Sequence, residues 1–290
     1  MSKGTVVKRP HKDGKSHSWL IKYDATPCPI TGKRRQRYKT VKGSKNEAEK
    51  ELRILLSQVD NNSAVDPTKE TVAAWLRRWL ADYAPMNCSS GATLERYGQL
   101  IERHIIPSLG SIPLQKLRSG AVQGLYSIKL KDGRLNGKGG LSKRTVHHLH
   151  RCLSTSLKIA VVEGLISTNP CDAANTVKPE KAEIQCLDDE QTKTMLKAAA
   201  ESRSPTIYPL VVLAVTSAMR RGEIAGLQWK DVDLDSGFLW VNKTLEETKA
   251  HGLVLKKPKT ETSKRKIHLP ALAVSALREH KSEQNALRLR

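Results

Sequence analysis

The sequence predicts a multidomain α+β protein: a small N-terminal three-stranded sheet with one helix, then an all-α four-helix domain, then a mainly α segment carrying a three-stranded β-hairpin sheet. Three observations predict it. Short runs rich in β-branched and aromatic residues near both ends read as strands. Between them, four stretches repeat their apolar residues at helical spacing. Two polar, proline-containing stretches, DNNSAVDPTKE at 60–70 and VKPEKAEIQC at 177–186, cut the 290 residues into segments of domain size.

The elements follow in order. Residues 5–9 and 18–24 read as strands and 36–41 as a third, with Pro27, Pro29, Gly32 and the basic run Lys33, Arg34, Arg35 and Arg37 connecting the second to the third. Ser44 and Glu47 have capping-box spacing, and Ala48, Leu52, Leu55, Leu56 and Val59 then share one helical face. Val72, Trp75, Leu76, Trp79 and Leu80 form the stripe of a buried helix, which assigns both tryptophans to a core. Leu94, Tyr97, Ile101 and Ile105 mark a second helix stopped by Pro107. A third covers about 119–130, and KDGRLNGKGG at 131–140 reads as a flexible basic loop. Ser142 opens a fourth helix, carrying Val146, Leu149, Leu153, Leu157 and Val161, which Gly164 and Asn169-Pro170 end. Beyond the second linker come a helix from Asp188–Glu190 to Ala200 and an apolar helix at 205–216. A strand at 237–242 precedes two more, GLVLKKPKT and RKIHLP, joined by a Thr260–Lys264 turn, and a helix from about 271 to 287 closes the chain.

Charge narrows the function. Lys and Arg outnumber Asp and Glu by 50 to 29, a net charge of +21. It divides as +9 over residues 1–62, +7 over 63–180 and +5 over 181–290. Basicity spread over every segment suits a protein that tracks a polyanion backbone, and a basic tail alone would not give it. No apolar run is long enough to cross a membrane and no basic amphipathic helix suits its surface, so no membrane partner is expected. The N-terminus has no signal-peptide core, which points to a cytoplasmic protein. Five scattered cysteines without a CxxC pair argue against a disulfide scaffold or a zinc site, and no phosphate-binding glycine loop is present. Neither metal nor cofactor is expected.

One run carries the chemistry: Ser217-Ala218-Met219-Arg220-Arg221-Gly222-Glu223-Ile224, followed by Gly226-Leu227-Gln228-Trp229-Lys230-Asp231-Val232-Asp233. A second is Pro258-Lys259-Thr260 with Ser263, Lys264, Arg265, Ile267 and Leu269-Pro270. Together they resemble the tyrosine recombinases, among them the phage and transposon integrases, whose patterns are T-G-L/M-R-x-x-E and P-K-T-x-x-S-x-R-x-I-x-L-P. His104-Ile105-Ile106-Pro107 with Leu109-Gly110, and the stretch from Leu141-Ser142 to Asn169-Pro170, resemble parts of that family's core-binding domain. The resemblance implies three domains: an arm-type DNA-binding domain at 1–62, a SAM-like core-binding domain at 66–176, and the N-terminal part of a catalytic domain at 184–290.

It also implies the reaction. A tyrosine attacks a DNA phosphodiester, leaves a 3′-phosphotyrosine, and a 5′-hydroxyl later rejoins the strand without loss of bond energy. Arg220 matches the guanidinium that binds the non-bridging oxygens, and Lys259 the general acid that protonates the leaving 5′-oxygen. Glu223, one helical turn beyond Arg220, is placed to orient it. Lys33, Arg34, Arg35, Arg37, Lys143 and Arg144 are the expected DNA contacts. Implied partners are double-stranded attachment-site DNA, further copies of the chain on that DNA, and a host DNA-bending or directionality factor.

The departures from the pattern are as informative. Ser217-Ala218 stands where Thr-Gly is usual, and alanine lacks glycine's freedom at positive φ, so a shifted turn is expected. The H-x-x-R box and the nucleophile are missing: the last tyrosine is Tyr208, and the one H-x-x-R string, His148 to Arg151, lies in the middle segment. The chain reads as a fragment, inactive alone. A non-catalytic DNA-binding remnant that occupies or regulates recombination sites is the alternative reading.

Overall fold

The structure, a computed structural model, describes residues 3–10, 17–25, 35–60, 67–88, 90–180, 183, 185–258 and 263–289. Helix and sheet are mixed, and contacts divide the chain into two compact units: residues 1–83 with 97–180, and residues 84–96 with 181–290.

In the first unit, β1 (Gly4–Pro10), β2 (His17–Ala25) and β3 (Arg35–Val41) form an antiparallel sheet in that order. The register sets Val6 opposite Ile21 and Ile21 opposite Lys39. Helix α1 (Lys45–Asp60) packs on one face, where Ile21 and Ala48 are fully buried. The capping box forms as the sequence predicts, with Ser44 N donating to Glu47 Oε2 at 2.9 Å and Glu47 N to Ser44 Oγ at 3.3 Å. On the other face Tyr38 is exposed, with the Lys22 ammonium 5.8 Å from its ring centre.

The helices of this unit bury the periodic residues. Thr71 caps α2 (Val72–Arg78), its Oγ1 accepting from Ala74 N at 3.2 Å. The chain then widens into one π-type turn at Trp79–Tyr83, after which α3 (Ala84–Asn87) and the start of the next helix belong to the second unit. Helix α4 (Gly91–Leu100) ends in a second such turn, Ile101–Ile105, and α5 (Ile106–Leu109) follows. Pro107 therefore does not stop the helix. It falls in the first turn after the π-type break, where its missing N–H is tolerated, and the helical path continues to Leu109. In the first unit α2, the turn at Ile101–Ile105, α5, α6 (Ser119–Asp132) and α7 (Lys143–Val162) enclose Trp75, Leu76, Ile101, Ile105, Leu149, Leu153 and Leu157, all fully buried. The 131–140 segment, expected as a flexible loop, is folded back on itself. Gly133 N and Arg134 N both donate to Gly139 O, Leu141 N donates to Lys129 O, and Arg134 Nε donates to Gly140 O at 3.1 Å.

The second unit contains α8 (Asp189–Ala200), α9 (Ile207–Ser217), α10 (Arg221–Ala225) and α11 (Ala271–Arg288) with five strands. These strands are β4 (Val232–Asp233), β5 (Phe238–Val241), β6 (Thr244–Thr248), β7 (Gly252–Lys256) and β8 (Arg265–His268). Its core joins Val212 and Leu213 of α9 to Met219, Leu239, Val241, Leu269, Ala273 and Leu277. The strand pairing corrects the sequence reading. GLVLKKPKT and RKIHLP do not pair with each other: β8 pairs with β5 in the order β4-β5-β8, and β7 pairs with β6 in a separate hairpin. The missed strand, TLEET, hides behind Glu246 and Glu247, which interrupt its apolar alternation. Helix α9 is not buried all round, since Leu210 and Val215 are 44% and 41% exposed.

Burial predicts where truncation hurts. Leu153→Ala in α7 costs about 2–5 kcal/mol because it leaves a cavity in a close-packed core. Leu135→Ala, at a position 65% exposed, changes stability little. Urea unfolding of both variants measures the difference, and equal losses would contradict the core described here.

Candidate active site

The site begins where α9 stops. Its last residue, Ser217, turns its hydroxyl back to Leu213 O, and Ala218 then takes a left-handed conformation at φ 49° and ψ 28°. The turn expected to shift is thus present, and alanine occupies a geometry that costs an L-residue about 1–2 kcal/mol. This places Met219 in the core and leaves Arg220 extended, immediately ahead of α10.

Arg220 and Glu223 come together as the sequence predicts. Arg220 N donates to Glu223 Oε2 at 3.0 Å, and Arg220 Nη1 donates to Glu223 Oε1 at 2.8 Å. The Glu223 side chain is 4% exposed and that of Arg220 is 73% exposed, so a buried carboxylate holds a guanidinium that faces outward. Sequence reasoning missed the third member. Arg265, on β8, donates through Nη2 to Glu223 Oε2 at 2.9 Å and through Nη1 to Ser263 O at 3.2 Å. Its signal was the arginine inside the second motif, whose partner only the fold reveals. Burial raises the Glu223 pKa, but the hydrogen bonds from Arg265 and Arg220 outweigh it and hold the carboxyl down at about 2.

Around this array the packing is close. A Cβ on Gly222 would stand 2.6 Å from Thr244 Oγ1, and one on Gly226 would stand 2.8 Å from Leu245 N, so only glycine lets α10 lie against β6. The hairpin is fixed on its other side too: Glu246 accepts from the Ser90 hydroxyl and the Lys256 ammonium, and Lys249 N donates to Glu95 Oε2 at 3.3 Å. Further along the first motif, Trp229 Nε1 donates to Gln284 Oε1 at 2.8 Å. Asp231 accepts from Asn242 Nδ2 at 2.9 Å, and Asp233 Oδ1 accepts from the amides of Asp235 and Ser236.

The remaining residues named from sequence are placed elsewhere. Lys259, Lys33 and Arg34 lie outside the described residues. Arg35 and Arg37 stand on β3 opposite Ala25 and Tyr23. Lys143 and Arg144 form the first turn of α7, capped by Ser142, and Lys143 donates to Glu180.

Known proteins decide what this arrangement belongs to. The model of the phage integrase family matches residues 185–287, and that of the phage integrase N-terminal SAM-like domain matches residues 71–130. Residues 185–287 belong to the phage integrase family. Its relatives include a "Tyrosine recombinase XerC-like" protein of Caldanaerobacter subterraneus, 26% identical over 85% of this chain and 64% of that protein. A second is the prophage integrase IntR of Escherichia coli, 33% identical over 51% of this chain and 34% of that protein. The chain thus spans less than two thirds of the length of these relatives. In fold it resembles the Tn1549 transposon integrase solved with a circular-intermediate DNA, with a TM-score of 0.60 and 21% identity over 72% of this chain and 64% of that one. It also resembles a λ integrase dimer bound to a core site, with a TM-score of 0.52 and 18% identity over 94% of this chain and 70% of that one. No described helix is long and apolar enough to cross a membrane.

Two outcomes follow. A group whose folded pKa lies below its ordinary value contributes stability above that ordinary value and loses it as pH falls through the folded one. For Glu223 the window runs from 4.5 down to about 2. Glu223→Gln removes the contribution and flattens the fall of Tm across that window; identical pH profiles for the two proteins would contradict it. Ala218→Gly relieves the left-handed turn and raises stability by about 0.5–1 kcal/mol, read by denaturant midpoint. A lowered midpoint would show that the turn is not under strain.

Proposed function

We propose that this chain is the DNA-handling part of a site-specific tyrosine recombinase, in which Arg220 binds the phosphodiester to be cut. The observation that carries it is the array of Arg220, Glu223 and Arg265 built from the family's two motifs. A guanidinium has five N–H donors, so one bond to Glu223 leaves others for the non-bridging oxygens of a phosphate. As the attacking oxygen adds to phosphorus, charge on those oxygens grows, and a fixed cation stabilises that state more than the substrate. Lys259, as general acid, delivers a proton to the departing 5′-oxygen. Residues 1–62 serve as the arm-type DNA-binding domain, 66–176 as the four-helix core-binding domain and 184–290 as the first part of the catalytic domain. Copies of the chain meet on the DNA they recombine.

The nucleophile falls to a residue that these 290 do not supply. The last tyrosine, Tyr208, precedes Arg220 in sequence and packs against the core of α9 and α11. The 290 residues alone therefore bind DNA and do not cut it.

Duplex binding tests the first half of this reading. With about six phosphates contacted, affinity falls about a thousandfold or more between 50 and 200 mM salt. A flat salt response would contradict it. Replacing Lys143 and Arg144 by Ala reduces both the affinity and its salt slope. A suicide substrate, nicked near the cut site, tests the second half. A covalent adduct should form only with a chain extended past Arg290, and Arg220→Ala should abolish it while binding changes little. An adduct with the 290-residue chain, or an adduct surviving Arg220→Ala, would overturn the assignment.

A further inference from the structure

We infer that Arg265 is a positioning residue for Arg220: one guanidinium ties the Ser263 backbone to the carboxylate that holds the phosphate-binding arginine. The relevance to DNA rests on the recombinase reading above; the coupling itself rests on geometry.

The Glu223 carboxylate divides its two oxygens between different tasks. Oε1 accepts from the Arg220 side chain, while Oε2 accepts both from the Arg220 backbone at 3.0 Å and from Arg265 at 2.9 Å. Arg220 alone does not fix this carboxylate, because its side chain is 73% exposed and its own conformation depends on the bond. Arg265 is the better anchored partner. It projects from β8, a strand paired to β5 residue by residue, and its side chain is 32% exposed. On β8 the neighbouring Lys266 lies over the Phe238 ring at 3.8 Å, so adjacent cations of the strand serve opposite faces of the sheet.

The second Nη group of Arg265 makes the arrangement a coupling. It donates to Ser263 O, the first described carbonyl after Lys259. Arg265 thereby joins the Ser263 backbone to Glu223, and Glu223 joins it to Arg220. Lysine does not replace it, because an ammonium is a point donor and a guanidinium spans two acceptors in one plane. Without Arg265, the buried Glu223 keeps one exposed cation as its partner. Its proton affinity then rises, and the still ionised carboxylate, held from one side only, is free to turn with the exposed Arg220 side chain.

The test uses the 290-residue chain with Arg265→Gln and Arg265→Lys, followed by carbon NMR of the Glu223 carboxyl and nitrogen NMR of the arginine guanidiniums. Arg265→Gln should raise the Glu223 midpoint by about one unit or more, a tenfold gain in proton affinity. It should also speed the rotation of the Arg220 guanidinium several-fold, with Arg265→Lys intermediate in both. Should the Gln variant fail to fold, the Lys variant alone decides the matter. Arg220 signals that stay unchanged while stability drops would reduce Arg265 to a structural residue and overturn the inference. Duplex affinity measured on the same samples separates the two readings: a mobile Arg220 in a chain that never binds DNA would support the coupling and sink the recombinase assignment.

Discussion

The arrangement of the two motifs depends on one buried carboxylate. Glu223 is 3% exposed, so an unpaired charge there would be strongly destabilising. It stays ionised because two arginines from separate parts of the chain converge on it, one from the turn after α9 and one from β8. The two arginines do not touch each other, and the carboxylate between them needs both. Meeting that need joins a helix terminus to a sheet and fixes the outward face of Arg220. Under the proposed function this asymmetry of burial is what matters, since the shared anion is inside and the cation that would meet DNA is outside.

The backbone around the carboxylate is arranged to permit this. Ala218 accepts a left-handed conformation so that the chain reverses sharply enough to bring the Arg220 amide onto Glu223. Gly222 and Gly226 let β6 lie directly on α10. The hairpin that β6 opens is in turn fastened at Glu246, whose carboxyl is held below the usual range by Lys256 first and Ser90 second. Strand, turn and helix are therefore set by contacts outside the motifs themselves, which is why the motif residues alone do not describe the site.

Much of this was legible from sequence where a single element decides the outcome. The Ser44–Glu47 box, the Trp75 and Trp79 stripe and the pairing of Arg220 with Glu223 are local events within one or two helical turns. What escaped depends on partners distant in sequence. Strand β6 shows no alternation because Glu246 answers to Ser90, 156 residues away, and Arg265 gains its role from a carboxylate 42 residues upstream. The 131–140 loop looked unstructured because glycines were read as freedom. Here Gly139 and Gly140 instead supply carbonyls that fold the loop back, and a Cβ on Gly140 would collide with Leu130 O.

The central claim, that Glu223 binds the two motifs into one unit, is tested most directly by a double-mutant cycle on Glu223→Gln and Arg265→Gln, read by unfolding free energy. The two residues form a partly buried, hydrogen-bonded ion pair, so a coupling of about 1–3 kcal/mol is predicted. Losses that add to within about 0.3 kcal/mol would mean that the contact carries no energy, and the account of the site would fail with it.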